Sequence, residues 1–343
     1  MKKLAVLFVV TILSMIFITG CEKNSTASLD PAIQDQTEIQ DFASDDQNDY
    51  LFDWGVDDGT EDNMYDGYNN FSAAAPAPLP FSVEGITSPL TNVVRFGRKI
   101  NRRFKRTVVI RRVNEDTAKV FVERALEGKF VIFEKLNADS TDPDTLAVFR
   151  KPLRHVVRRS AIFVRRQNVD TAATDDARGH WRIYSISLGE GESPHSTINI
   201  ADVTVSRENG DSVVYTDPLQ TQLVLREDLL RFVPGEIVKV RVRLSNSTSN
   251  PVTLPQVGGT ETLLLHFGAN PRHHGRKRFH FVGVDDEGLN VYEGKWVVRQ
   301  RPHHVYHAVV DAIDNGTIYD NDADAFPYNS TTWGIPYIVK ARN

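Results

Sequence analysis

Val238, Val240, Val242 and Leu244 alternate strictly with Lys239, Arg241 and Arg243, and this two-residue period constrains the chain more than any other feature. Successive side chains of a strand point to opposite faces, so the run reads as an antiparallel strand with one buried and one wet face. The pattern recurs: Leu263, Leu265 and Phe267 form another inward row, and Phe279 to Val284 a third. The turns between them are equally legible. Asn209-Gly210 separates Val203-Thr204-Val205 from Val213-Val214-Tyr215, and both turn residues tolerate the positive φ that a tight hairpin requires. Asp285-Asp286-Glu287-Gly288 joins the next pair in the same way. The chain is therefore expected to be mainly β, with antiparallel sheets.

Short strands with regularly spaced turns over residues 196–300 predict a β-sandwich. Within it, Phe232-Val233-Pro234-Gly235-Glu236-Ile237-Val238-Lys239-Val240-Arg241-Val242, followed by Asn246, resembles the middle strands of bacterial immunoglobulin-like domains. That resemblance implies a module that binds through its loops or edges. Residues 81–195 carry strand patterns of their own, at 107–113, 117–124, 129–135, 153–166 and 181–188, and predict a basic β-rich domain. Asp116-Thr117-Ala118-Lys119-Val120, Arg159 to Arg165 and His180-Trp181-Arg182-Ile183 resemble the last strands of the NTF2-like cone. The resemblance implies an α+β domain with a helix ahead of its sheet, for which Leu90–Phe104 offers room. Residues 301–343 are expected to be a C-terminal extension packing on the sandwich, with Trp333 to Val339 as its last strand.

Met1-Lys2-Lys3, an apolar run from Leu4 to Ile18, and Ile18-Thr19-Gly20-Cys21 have the layout of a secretory signal over residues 1–20. The apolar run is shorter than the roughly 20 residues a membrane-spanning helix needs. This arrangement resembles the signal of bacterial lipoproteins, in which the cysteine thiol accepts the lipid, palmitate included. The resemblance implies lipidation at Cys21 and a membrane anchor in the cell envelope. Glu22, standing where an aspartate would favour the inner membrane, points to the outer membrane, on its periplasmic or surface face. Cys21 is also the chain's one cysteine, so no internal disulfide is possible.

Residues 21–80 are acidic, with 14 Asp and Glu against Lys23, and close on the Ala/Pro run 73–80. Such a composition predicts a disordered stalk that holds the body away from the membrane. Tyr50, Leu51, Phe52 and Trp54 interrupt it and suggest a docking element. Without the stalk the balance reverses: residues 81–343 hold 37 basic and 31 acidic groups. Arg95, Arg98, Lys99, Arg102, Arg103, Lys105 and Arg106 follow one another with no acid between them, a candidate anion-binding cluster. Export argues against nucleic acid, leaving an anionic glycan, an envelope protein, lipopolysaccharide phosphates, or the chain's own acidic stalk folded back.

For chemistry the chain offers less. Seven of its ten histidines lie between His266 and His307, and His303 with His307 could ligate zinc or copper. Asp320, Asp322 and Asp324 alternate as at the start of a calcium loop, but Ala325 and Thr331 stand where an EF-hand needs glycine and glutamate. No nucleophile elbow or phosphate loop is present. No cofactor is expected beyond the covalent lipid, with calcium or zinc as the alternatives. The functional expectation is a membrane-anchored, non-catalytic binding or structural lipoprotein. Two rivals stay open: a β-domain hydrolase or carbohydrate-active protein, and a periplasmic metal-binding protein using the 266–307 histidines.

Overall fold

The structure, a computed structural model, describes residues 31–52, 54, 89–136, 146–166, 180–253, 258–270, 273–302 and 304–341. In chain order the strands are β1 (Val93–Arg103), β2 (Thr107–Asn114), β3 (Thr117–Lys135), β4 (Leu146–Arg165), β5 (Trp181–Ser187) and β6 (Gly189–Glu192). They continue with β7 (Ile198–Arg207), β8 (Ser212–Tyr215), β9 (Gln222–Val224), β10 (Leu230–Phe232), β11 (Ile237–Asn246) and β12 (Glu261–Asn270). The last are β13 (His273–Arg278), β14 (His280–Val284), β15 (Asn290–Val297), β16 (Val305–Asp314) and β17 (Ser330–Val339). Three α-helices, α1 (Pro31–Ser44), α2 (Asp49–Phe52) and α3 (Asn315–Tyr319), and a short 3-10 helix, Asp46–Asn48, complete the described elements. The protein is mainly β and its sheets are almost wholly antiparallel, as its alternating sequence predicts. No helix among the described residues is long and apolar enough to cross a membrane.

The smaller sheet runs β14-β15-β11-β7-β8, and both expected hairpins are in it. Gly210, at φ 96°, turns β7 into β8, and Gly288, at φ 79°, turns β14 into β15. The larger sheet follows the path β1-β3-β4-β6-β17-β16-β12-β13, with β2 also on β3, β5 on β4 and β10 parallel to β17. Its spine is one long hairpin in which β3 and β4 pair from Thr117↔Val164 to Lys135↔Leu146. The two strands expected at 117–124 and 129–135 are this single β3, and its free edge is shared by β2 and β1 in turn.

The larger sheet rolls up. Arg98 on β1 forms an ion pair with Asp311 on β16 at 2.6 Å, although four strands lie between them along the sheet. Arg276 on β13 donates to the Phe96 carbonyl on β1 at 3.1 Å, so the first and last strands of the path meet. Phe96, Phe130, Leu153, Leu264, Ile313 and Tyr328 fill the enclosed space.

β16 is buried on both faces. Ala308, Val310 and Ala312 join the core beneath the smaller sheet, with Val240, Val242 and Trp296 opposite. His307, Val309, Asp311 and Ile313 point into the rolled interior. β17 divides likewise, sending Trp333, Ile335 and Tyr337 to the first core and Ser330 and Thr332 to the other side. Strands from 81–195, 196–300 and 301–343 thus share one sheet, and the expected boundaries near 195 and 300 do not separate sheets. The C-terminal segment is not an outer layer on a finished sandwich but half of its wall.

Two other expectations are corrected. Leu90–Phe104 holds no helix: β1 occupies it, because Phe96 and Arg98 must face the interior while Lys99 and Asn101 face solvent. The arrangement expected of an NTF2-like domain is therefore absent there. The stalk expected to be disordered over 21–80 is ordered at 31–52 and 54. Pro31 opens α1, where a missing N–H costs nothing. Ile39, Ala43, Leu51 and Phe52 then bury against Val120, Phe163 and Trp181, with Phe42 edge-on to Phe163. A large apolar side chain returns about 1.5–3 kcal/mol on burial, a gain that averaged composition cannot register.

Candidate functional site

The acidic segment is seated on the basic sheet through its carboxylates. Asp35, on the first turns of α1, accepts from the Trp181 indole at 2.9 Å and from Arg165 at 2.6 Å, and also pairs with Arg112. Glu38 accepts from the Trp181 backbone N–H at 2.7 Å. Further along, Asp49 pairs with Arg106, which also donates to the carbonyls of Ala43 (3.2 Å) and Asp45 (3.3 Å). Arg124 stands 3.9 Å from Asp49. α1 therefore runs along β2 from the Arg112 end to the Arg106 end.

Burial alone would raise the Asp35 carboxyl, but the Trp181 N–H and the two guanidinium groups outweigh it and hold it below the ordinary carboxylate range. Burial pushes Arg106 down to about 10, helped by Arg124 and opposed by Asp46 and Asp45. A carboxylate whose folded pKa is lowered contributes stability above its unfolded value, and the contribution fades as pH falls through the folded value. Between about pH 6 and pH 3 the wild type should thus lose more stability than Asp35→Asn, measured as the shift in denaturation midpoint. Equal losses would detach Asp35 from the docking.

Trp54 ends the docked segment and is its largest buried side chain, 1% exposed. It enters a slot left by two glycines that face each other across strands, Gly189 on β6 and Gly334 on β17. A Cβ on either glycine would lie 2.6 Å from the indole, closer than side chains tolerate. Leu126, Val157 and Val309 line the rest of the slot. Arg159 lies over the indole, 5.0 Å from its centre, and donates to the Leu51 carbonyl, to the Gly334 carbonyl at 3.2 Å and to His307 Nε2 at 2.9 Å. His307 is thereby an acceptor, kept neutral by burial and by the Arg159 charge, which push its pKa well down.

Beside the slot is a sealed polar network. Arg98 holds Asp311 through both carboxylate oxygens (2.6 and 2.7 Å) and donates to Tyr328 (2.6 Å) and Ser330 (2.8 Å). His266 reaches Asp311 at 3.1 Å, and His155 reaches Tyr328 at 3.1 Å and Thr332 at 3.2 Å. Burial and the Arg98 charge push His155 down to about 3. Asp311, His266 and Ser330 are each at most 1% exposed, and the imidazole and the hydroxyl both bond to the carboxylate.

The geometry divides the candidate cationic cluster. Arg98 and Arg106 are buried on internal acids, and Arg95 lies over the Phe133 ring at 4.4 Å. Lys99, Arg102, Arg103 and Lys105 are exposed, with Arg102 over the Phe104 ring at 4.2 Å. Cys21 and His303 lie outside the described residues. Asp320 accepts from the Asp322 backbone, and Asp322 from Asp324 and Ala325 (2.8–2.9 Å), which shapes the loop around the buried Lys151. Among the described residues no three His, Cys, Asp or Glu side chains gather with metal-holding geometry. Asp35, Glu38, Arg159, Arg165 and the glycine pair were not singled out by the sequence, whereas Arg112 belongs to the same acid-free cationic run as Arg106. Leu51, Phe52 and Trp54 were the available signal, and they are buried in the docked segment together with Ile39 and Ala43 of α1.

The chain matches no family model, no curated protein and no solved structure.

Proposed function

We propose that the protein is a lipid-anchored cell-envelope lipoprotein, attached through Cys21 to the outer membrane, whose body is a non-catalytic binding or structural module. The observation that carries this reading is the signal layout that ends in Ile18-Thr19-Gly20-Cys21, and the seating of α1 sets how far the body can stand from such an anchor. Only residues 22–30 separate the candidate lipid attachment point from a helix fixed to the sheet by Asp35 and Glu38. Nine residues reach at most about 32 Å when fully extended. The body is then held close to the membrane by a short tether, in place of the long stalk that the composition suggested. The enclosure of its acid, imidazole and hydroxyl groups favours binding over catalysis.

Metabolic labelling with palmitate tests the anchor. The wild-type chain should take up label and fractionate with membranes, and Cys21→Ser should take up none. Labelling that survives this substitution would overturn the reading.

A further inference from the structure

The tip of the larger sheet has two unlike faces. α1 covers the one that carries Val108, Ile110 and Trp181. Alternation turns Val109, Arg111, Lys119, Arg182 and Tyr184 to the other, and Val113 is exposed beside them where the β2–β3 register shifts. There Val109 is 56% exposed, Val113 64% and Tyr184 40%, and the three cations are exposed as well. Arg111 and Lys119 are direct cross-strand partners. Like charges in that position repel and destabilise a strand pair, so the arrangement suits a face that meets external negative charge. Beside it, Arg182 and Tyr184 line a groove with Arg165 and Arg166, where Asp116 is the one acid among the lining residues. Arg165, paired with Asp35 at 2.6 Å and Asp116 at 3.5 Å, and Arg166 are half-buried, whereas Arg182 is exposed and is the groove's outward cation.

This face is at the anchored end of the molecule. Asp35 touches Arg112, Arg165 and Trp181, all close to the β2–β3 turn, and Pro31 lies one helical turn further out. We infer that the face rests on an anionic lipid surface: Arg111, Lys119 and Arg182 meet headgroup phosphates, while Val109, Val113 and Tyr184 enter the interfacial layer. Aromatic and basic side chains are the groups that settle at this depth of a bilayer. The inference rests on the lipid anchor at Cys21, whose short tether brings this face, and not the smaller sheet, to the membrane.

The test uses the mature chain, residues 21–343 with Cys21 unacylated, in co-sedimentation with vesicles. One set contains equal parts phosphatidylglycerol and phosphatidylcholine, the other phosphatidylcholine alone. Binding should be at least about tenfold stronger to the anionic set and weaken steeply with salt, since each basic residue near a charged surface contributes about fivefold. Arg111→Gln/Lys119→Gln/Arg182→Gln should lower binding about a hundredfold on the same scale. Arg102→Gln/Arg103→Gln/Lys105→Gln, on the neighbouring exposed stretch, should lower it much less. Equal loss from the two triple variants, or equal binding to both vesicle sets, overturns the inference. Binding to the acidic glycan polygalacturonate without binding to vesicles assigns the face to glycans and also overturns it, as does competition by inorganic phosphate with no vesicle binding. Should a triple variant misfold, the salt dependence of the wild type decides alone. Palmitate uptake is read separately, so either reading can fail without the other: label without vesicle binding removes this face, and vesicle binding without label removes the anchor.

Discussion

Truncation of Trp54 to alanine is expected to cost about 3–5 kcal/mol, the range for removing a fully buried large aromatic. The loss should be near the top of that range because the slot cannot collapse. Its floor is the paired backbone of Gly189 and Gly334, held in register between β4 and β16, and no side chain on either glycine can move into the space. Arg159 would also lose the ring it covers, leaving a buried guanidinium facing a void. Chemical denaturation of wild type and Trp54→Ala gives the difference directly. A loss below about 0.5 kcal/mol, the usual size for a surface change, would mean that the segment is not seated in solution. Gly334→Ala provides an independent reading from the other side: it should unseat the same segment while leaving Trp54 intact.

The second large effect concerns the charge pair inside the roll. Arg98→Met should destabilise the protein by about 3–5 kcal/mol, because it strands the Asp311 carboxylate in a place without water. In the wild type, burial would raise the Asp311 carboxyl, and Arg98 with His266 reverses this and holds it well below the carboxylate range. Arg98→Met/Asp311→Leu should cost less than either single change, since replacing a buried pair with apolar groups of similar volume is often neutral. The two singles and the double close a thermodynamic cycle. If the double equals the sum of the singles, the pair is not coupled and the sheet is not rolled as described.

Much of the β architecture was legible in the sequence. β11 showed itself because one face is wet, and Lys239 and Arg241 mark every second position. Asn209-Gly210 gave the β7–β8 hairpin because the turn chemistry is local. What lay hidden depended on contacts distant in sequence. β16 carries His307 and Asp311 on one face and Ala308, Val310 and Ala312 on the other, and with both faces buried it offered no solvent side to mark its place. His307 therefore read as a candidate metal ligand, whereas its partner is Arg159 from β4, and Asp311 on the same face is held by Arg98 from β1. α1 was hidden for a similar reason. Acidic composition describes an isolated segment correctly, but Asp35 and Asp49 meet Arg112, Arg165 and Arg106 only after the sheet exists. The cationic run near β1 and the acidic run before it were both visible as charge, but which cations the acids would take was decided by the strand period. Arg106 and Arg112 face α1, and Arg111 turns away from it.

The position of β16 has a consequence for how the molecule comes apart. A single thickness of backbone separates the packing under the smaller sheet from the packing inside the roll, and alternate residues of the same strand belong to each. Water cannot be admitted to one side by pulling β16 away without opening the other. The regions that look like separate domains along the chain should thus unfold as one cooperative unit, since β16 belongs to the packing of each.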